Sequence, residues 1–326
     1  MPLVIPSPTQ DFAGYLREVP LVVAPMADVT DTPFRRILRR FFPGLLFTEM
    51  ISAEGILHGS EKTFRMVETV PEEEAPVGIQ ILGADPTRVA EAARLLIRYR
   101  PAVLDINMGC PVRKVLKNGS GAALLSDPKR AGEVVRAVRD TVDLPVTVKI
   151  RLGLDHDNAE DVIAALFCAG AVAVTVHGRT AVQLYRGPAD RRRVLEIARA
   201  APLPIVVSGD VRTEEDVREI LSGGAAGALL ARGILGRPWF AARALAAARG
   251  SAPPPRPSCT EVIEDHLDEV LRWSGEEGIR AFRRHLVEYV RFHPRARRLR
   301  HALVTAQSSR EIRRILRDLS SSFEEE

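Results

Sequence analysis

Cysteine is scarce in this 326-residue chain, which holds only Cys110, Cys168 and Cys259. They are too few and too scattered for a disulfide framework, and they lack the paired spacing of a zinc or iron–sulfur site. No metal is therefore expected, and a reducing cytoplasm is the implied compartment. Long apolar runs are missing too. The longest uncharged stretch, Val162 to Val176, is too short for a membrane span and is interrupted by Ala169-Gly170. The N-terminus, MPLVIPSPTQDF, has no basic segment followed by an apolar core and does not read as a secretory signal. No G-x-G-x-x-G follows the first strand and there is no P-loop, which excludes a separate dinucleotide-binding domain. Lysine is sparse (Lys62, Lys114, Lys117, Lys129, Lys149), so the net charge of +4 is carried almost wholly by arginine.

What is present is a repeated unit: a short apolar run, a polar loop, then an amphipathic helix. Strands are predicted at Leu21–Met26, Leu45–Met50, Val77–Leu82, Val103–Asn107, Val146–Arg151, Ala171–His177, Ile205–Gly209 and Gly227–Ala231. The clearest helices are Asp85–Tyr99, Asp127–Val142, Ala159–Ala169, Arg191–Ala200 and Thr213–Leu221, several opening on a good N-cap. Strands apolar on both faces and alternating with helices imply a parallel sheet. The fold class is thus α/β, a (β/α)8 TIM barrel, with a doubly wound open sheet as the rival. Polar groups gather at the strands' C-terminal ends (Glu49, Gln80, Asn107 with Cys110, Lys149, His177, Ser208 with Asp210, Arg232), where a closed barrel makes them converge on one mouth.

The barrel domain is assigned to residues 1–249, a proline-rich linker to 250–258, and a helical domain to 259–326. Helices are predicted from Thr260 through Trp273, over Glu277–Phe292, over Arg295–Gln307 and over Ser309–Leu319. From Arg280 to Arg317 the arginines face only Glu288 and Glu311. Such one-signed excess suits a polyanion, although charge runs also occur as plain solvated faces.

Three residues stand out for chemistry. Lys149 is an isolated cation in the apolar strand VTVKIR, and a Schiff base and the stabilisation of an anion both suit it. His177, two residues before Arg179, sits at a strand end where it could hold a phosphate or a polar substrate edge. Cys110 follows a strand on a Gly109-Cys110-Pro111 turn, ahead of a loop, Val112 to Leu125, that reads as a flexible lid. A free thiol is mostly protonated at neutral pH, as a general acid must be. Cys168, on a helix, reads as a core residue. The small residues at Ser208-Gly209-Asp210 and Ala231-Arg232-Gly233 would let a phosphate approach the backbone.

The ordered motifs APMADVTDTPFR (Ala24–Arg35), FTEM (Phe47–Met50), GIQILGADP (Gly78–Pro86), DINMGCPVRKV (Asp105–Val115), VKIRLG (Val148–Gly153), VHGRT (Val176–Thr180), SGDV (Ser208–Val211) and ARGILGRPW (Ala231–Trp239) resemble the tRNA-dihydrouridine synthases. These flavin enzymes reduce uridine in tRNA, and the likeness is greatest to the bacterial branch typified by subfamily B. It runs from about Leu21 to Phe240 and more weakly beyond the linker.

The resemblance implies FMN at the barrel mouth and NADPH (or NADH) as reductant in a separate half-reaction. It places Pro25, Met26 and Ala27 behind the isoalloxazine ring, and Gln80 and Lys149 on its pyrimidine side. His177 falls on a flavin-site position, and Ser208, Gly209, Asp210, Ala231 and Arg232 on the phosphate segments. Cys110 becomes the general acid for C5 of uracil and Asn107 a neighbour of that base. Beside that resemblance, Arg179 with His177 suits a phosphate or a polar substrate edge, and the basic lid residues Arg113, Lys114 and Lys117 suit phosphate contacts to the substrate. The helical domain would meet tRNA. No membrane is implied; the oligomeric state is not readable from the sequence, and a monomer is assumed. The chain departs from the family at Ser208 (usually Asn), Ala231 (usually Gly) and Ala181 (often Arg); flavin binding is expected to survive the first two, and the last is expected to weaken an RNA contact or shift the preferred nucleotide position. A flavin reductase of a free pyrimidine and a non-catalytic tRNA-binding barrel remain alternatives.

Overall fold

The computed structural model describes residues 7–291, 293 and 295–323, with the backbone only for 318–323. Residues 1–6 and 324–326, and Phe292 at the expected end of the second tail helix, lie outside the described residues.

The eight strands are β1 (Leu21–Val23), β2 (Leu46–Ser52), β3 (Val77–Leu82), β4 (Val103–Met108), β5 (Val146–Arg151), β6 (Ala173–His177), β7 (Ile205–Ser208) and β8 (Gly227–Leu230). They pair in parallel from β1 through β8 and back to β2. The remaining seam is closed where the Val23 N–H donates to the Leu45 carbonyl at 3.0 Å. This is a barrel and not an open sheet. Nearly every strand residue is buried, because one face fills the barrel interior and the other meets helices.

The predicted caps form as expected. Asp85, Asp127 and Thr213 accept from the N–H groups of Arg88, Arg130 and Asp216. The first strand ends sooner than its apolar run suggests. Past Val23 the chain turns, and the Thr30 hydroxyl accepts from the Met26 N–H at 3.0 Å, so Pro25 to Asp28 become a loop at the mouth. Cys168 is corrected from core to surface. Its helix, Ala159–Cys168, buries Ala159, Val162, Ile163 and Leu166, and a residue two beyond Leu166 points the opposite way.

Residues 251–258 carry no regular structure. The tail then forms helices Cys259–Ser274, Ile279–Tyr289, Ala296–Thr305 and Ser309–Phe323. Its apolar core includes Ile37 from the barrel helix Thr32–Arg39, so tail and barrel share one packed interface. Arg36 ties the same seam. It lies 2.9 Å from Glu73 and 3.0 Å from Glu269, with its guanidinium 5.5 Å from the Trp273 ring. Among the described residues no helix is long and apolar enough to cross a membrane.

The mouth loop is held by a buried ion pair. Arg35 Nε meets Glu74 at 2.6 Å, while its Nη1 donates to the Thr30 carbonyl at 2.6 Å and its Nη2 to the Glu68 carbonyl at 2.8 Å. Both side chains are almost fully buried, at 1% and 0% exposure. Glu74→Ala strands the guanidinium without its counter-charge. We expect a loss of about 3–5 kcal/mol in urea unfolding; a change within about 0.5 kcal/mol would show that the pair carries no such weight.

Candidate active site

The C-terminal ends of the strands surround a cavity of about 350 Å³. It collects most of the residues singled out from sequence: Pro25, Met26, Ala27, Gln80, Asn107, Cys110, Lys149, His177, Ser208, Gly209, Asp210, Ala231 and Arg232. Ala24, Pro25, Met26, Met50 and Leu229 give it an apolar side, so a flat ring has a dry wall to lie against.

A chain of buried polar groups sets the orientation of its amides. Asp105 on β4 accepts from Gln80 Nε2 and from the Thr147 hydroxyl, both at 2.6 Å. Gln80 Oε1 must then face Asn107, whose Nδ2 donates to it at 2.8 Å. Asn107 Oδ1 in turn accepts from the N–H groups of Gly109 at 3.1 Å and Cys110 at 2.9 Å. The turn that carries the thiol is thus held by the carboxamide beside it. Burial pushes the Asp105 carboxyl up to about 6, against the two donors that favour its charge. Asp105 carried no role in the sequence reading, since a lone acid in an apolar strand does not reveal its partners. Asp105→Asn sets an amide against those donors and frees Gln80 and Asn107 to flip. Stability should fall by about 1–3 kcal/mol in urea, with a matching fall in kcat/KM; unchanged values for both would remove Asp105 from this chain.

The segment after Cys110 is not a loose lid. It forms a helix, Arg113–Lys117, and a 3-10 turn, Gly121–Ser126, with Ser120, Gly121, Ala122, Leu124 and Leu125 buried. The Ala122 N–H donates to the Cys110 carbonyl at 3.1 Å. Gly121 has φ +61°, and a Cβ there would lie 2.8 Å from that same carbonyl. The strap therefore fixes the thiol from below. Arg113 and Lys114 are exposed on its helix and do not line the cavity; Lys114 borders a separate groove with Asp85 and Asn118.

The opposite wall is cationic. Lys149, Arg151 and Arg232 all line the cavity. Burial, then the charge of Arg151, pushes the Lys149 amine down to about 8. Burial, then Lys149 and the neighbouring arginines, holds His177 far below its ordinary value, so its ring is neutral. Its buried Nδ1 has no protein partner. Tyr185, not singled out from sequence, stands over this wall. Its ring is 5.5 Å from the Arg151 guanidinium, 5.0 Å from that of Arg232 and edge-on to His177. The only sequence signal was an aromatic residue in the polar loop after VHGRT.

Asp210 meets this wall as an organiser. Its carboxylate accepts from Arg179 Nη2 at 2.5 Å, the Ala189 N–H at 2.9 Å and Arg232 Nη2 at 3.0 Å. Burial opposes its ionisation, but those bonds hold the Asp210 carboxyl below the usual carboxylate range, so its charge is kept. Arg179 is correspondingly buried, at 2% exposure, and binds the Gly187 carbonyl at 2.6 Å. It braces the loop and does not reach the cavity, contrary to the expected substrate contact. Ala181 is also buried, at 2% exposure, so the structure gives it no surface from which to meet RNA. Ala231 lines the cavity next to Arg232, at the start of the short 3-10 turn Arg232–Ile234.

A closed parallel barrel with its thiol, carboxamides and cations at the strands' C-terminal ends defines a (β/α)8-barrel enzyme. Residues 22–324 match the family described as dihydrouridine synthase (Dus). A probable tRNA-dihydrouridine synthase of Rhodobacter capsulatus is 38% identical over 83% of this chain and 86% of its own. The tRNA-dihydrouridine synthase B of Pseudomonas aeruginosa is 37% identical over 86% of each chain. A probable tRNA-dihydrouridine synthase of Rhizobium leguminosarum is 35% identical over 90% of this chain and 92% of its own. The chain belongs to the dihydrouridine synthase family and is an oxidoreductase of the CH–CH class.

Proposed function

We propose that this protein reduces the C5=C6 bond of specific uridines in tRNA to 5,6-dihydrouridine, with FMN at the barrel mouth and NADPH (or NADH) as reductant. The observation that carries the reading is the single cavity in which Cys110, Asn107, Gln80, Lys149 and His177 converge opposite an apolar wall. These residues fit the cofactor. The dry side suits a tricyclic ring, the unpartnered His177 Nδ1 offers a polar contact, and Lys149 and Arg232 supply positive charge for a phosphate and an anionic ring. Bound there, FMN supplies the hydride that ends on uracil C6, and NADPH restores it.

The chain's own residues do the rest. Hydride addition leaves negative charge on C5 and O4 of the base, and Cys110 donates the proton that C5 needs. Asn107, with its amide fixed by Gln80, lies beside the thiol to position the base. The target nucleotide must first leave its stack, at a cost of a few kcal/mol. The exposed tail arginines Arg280, Arg295, Arg297, Arg298, Arg310 and Arg314 offer phosphate contacts that offset this. The Arg284 guanidinium bridges from the tail to the Asp28 carbonyl at 2.6 Å, which sets that surface next to the mouth.

The test is dihydrouridine in bulk tRNA from cells lacking the gene, mapped by nucleotide, with rescue by wild type and by Cys110→Ala. Loss at defined positions, restored by wild type only, is expected. Unchanged dihydrouridine everywhere, in cells with no overlapping enzyme, would reject tRNA as substrate and leave a free pyrimidine, assayed directly with uridine.

A further inference from the structure

We propose that Asp31, His266 and His285 form a binding site for one divalent transition-metal ion of the zinc class, at the seam between barrel and helical tail. One carboxylate oxygen and one nitrogen from each ring all lie within 4.8 Å of one another. The residues are far apart in the sequence and come from three elements. Asp31 caps the barrel helix Thr32–Arg39, and the histidines belong to tail helices Cys259–Ser274 and Ile279–Tyr289.

Two observations point to a ligand here. His266 is 0% exposed and His285 4%, yet Nε2 of each ring is buried without a hydrogen-bond partner. Buried polar atoms are almost always paired, so two unpaired nitrogens on rings clustered with one carboxylate mark a missing partner. The rings are also held as metal ligands are. Nδ1 of His266 lies 3.1 Å from the Tyr289 hydroxyl, a second contact that fixes the ring and leaves Nε2 as the outward donor. Phe34 packs against both rings, at 5.6 Å from His266 and 4.7 Å from His285, and Phe282 stands edge-on to His266 at 4.7 Å. Neither imidazole can swing to water.

The donor set chooses the ion. Two imidazoles and a carboxylate suit zinc and its first-row neighbours, whereas magnesium and calcium take oxygen. Ligand atoms on a tetrahedral ion with bonds of about 2.0–2.2 Å sit about 3.4 Å apart. The observed spread needs only small ring shifts to close, with water as the fourth ligand. Asp31 uses Oδ1 to accept from the Phe34 N–H at 3.0 Å, which leaves its other oxygen for the ion. An ion here would pin the loop that forms the cavity wall to the tail. The site does not depend on which reaction the cavity performs.

The full chain, as purified with its cofactor, is stripped with a chelator and then exposed to zinc or cobalt(II) alone. Elemental analysis should find about one zinc per chain after desalting. Cobalt(II) should give a visible d–d band, and zinc should raise Tm by a few degrees. His266→Gln and His285→Gln should each lose the metal and the band while keeping the far-ultraviolet circular dichroism of the fold. Wild-type protein that holds neither zinc nor cobalt overturns the proposal, and this needs no variant to fold. Zinc held equally well by His285→Gln also overturns it, by placing the ion elsewhere.

Discussion

Cys110→Ala is expected to lower dihydrouridine formation by about 10²–10⁴-fold, the range lost when a positioned general acid is removed. Flavin binding and reduction by NADPH should stay close to wild type, because the alanine leaves the network around the cofactor side intact. The turn that carries Cys110 is held through its backbone. The Asn107 carboxamide accepts from the Cys110 N–H at 2.9 Å, and the Ala122 N–H donates to the Cys110 carbonyl at 3.1 Å. Removing the thiol therefore removes the proposed proton donor and little else. Single-turnover assays on tRNA with pre-reduced enzyme separate the two half-reactions. Slow flavin reoxidation by tRNA, with normal reduction by NADPH, is the expected pattern. Equal slowing of both halves would mean that the thiol shapes the cavity and does not donate the proton.

Lys149→Met should have effects of opposite sign on stability and on activity. The amine is pushed down to about 8 by burial first, with Arg151 adding to the shift. The folded state therefore holds this proton less tightly than the unfolded chain, whose lysine titrates near 10.4. Between about pH 8 and 10.4 the unfolded state binds more protons, so this site makes stability rise with pH over that window. At pH 7 the charged amine is a cost. Replacing it by a thioether of similar length should stabilise the cofactor-free protein by about 1–3 kcal/mol. The same change removes a cation of the cavity wall and should cost about 10²–10³ in the chemical step. In wild type, affinity for FMN should weaken as pH rises above about 8, and the variant should lack that dependence. A Lys149→Met protein that is less stable in urea at pH 7, with an unchanged pH profile for FMN, would sink this account.

Much of the site was legible because it belongs to strand ends. A parallel barrel carries the residue after each apolar run to the same rim, so Gln80, Asn107, Lys149, His177 and Ser208 could be grouped before any contact was known. Residues whose role depends on distant partners were not legible in this way. Arg179 looked like a substrate contact by its place after His177, but Asp210 and the Gly187 carbonyl draw it inward. Asp105 looked like one acid in a strand, and only the neighbouring strands supply the Gln80 and Thr147 donors that give it a function. Arg113 and Lys114 looked like part of a mobile lid. Apolar residues further along the segment bury themselves and fix it as a strap, which turns both cations outward.

The tail shows the same division. Its arginine excess was plain in the sequence, but not which arginines serve the fold. Arg283 donates to the Ala306 carbonyl at 2.6 Å and Arg284 binds Asp28, whereas Arg297 and Arg298 are left exposed.

By itself the sequence determined the strand and helix periods, the helix caps, the proline-rich break and the chemical types at the mouth. Each of these depends on near neighbours and on backbone preference. The tertiary structure alone decided which way each polar side chain turns, and it alone brought Asp31 to His266 and His285. Such choices depend on desolvation and on partners from distant segments, and those partners come together only when the barrel closes and the tail packs against it.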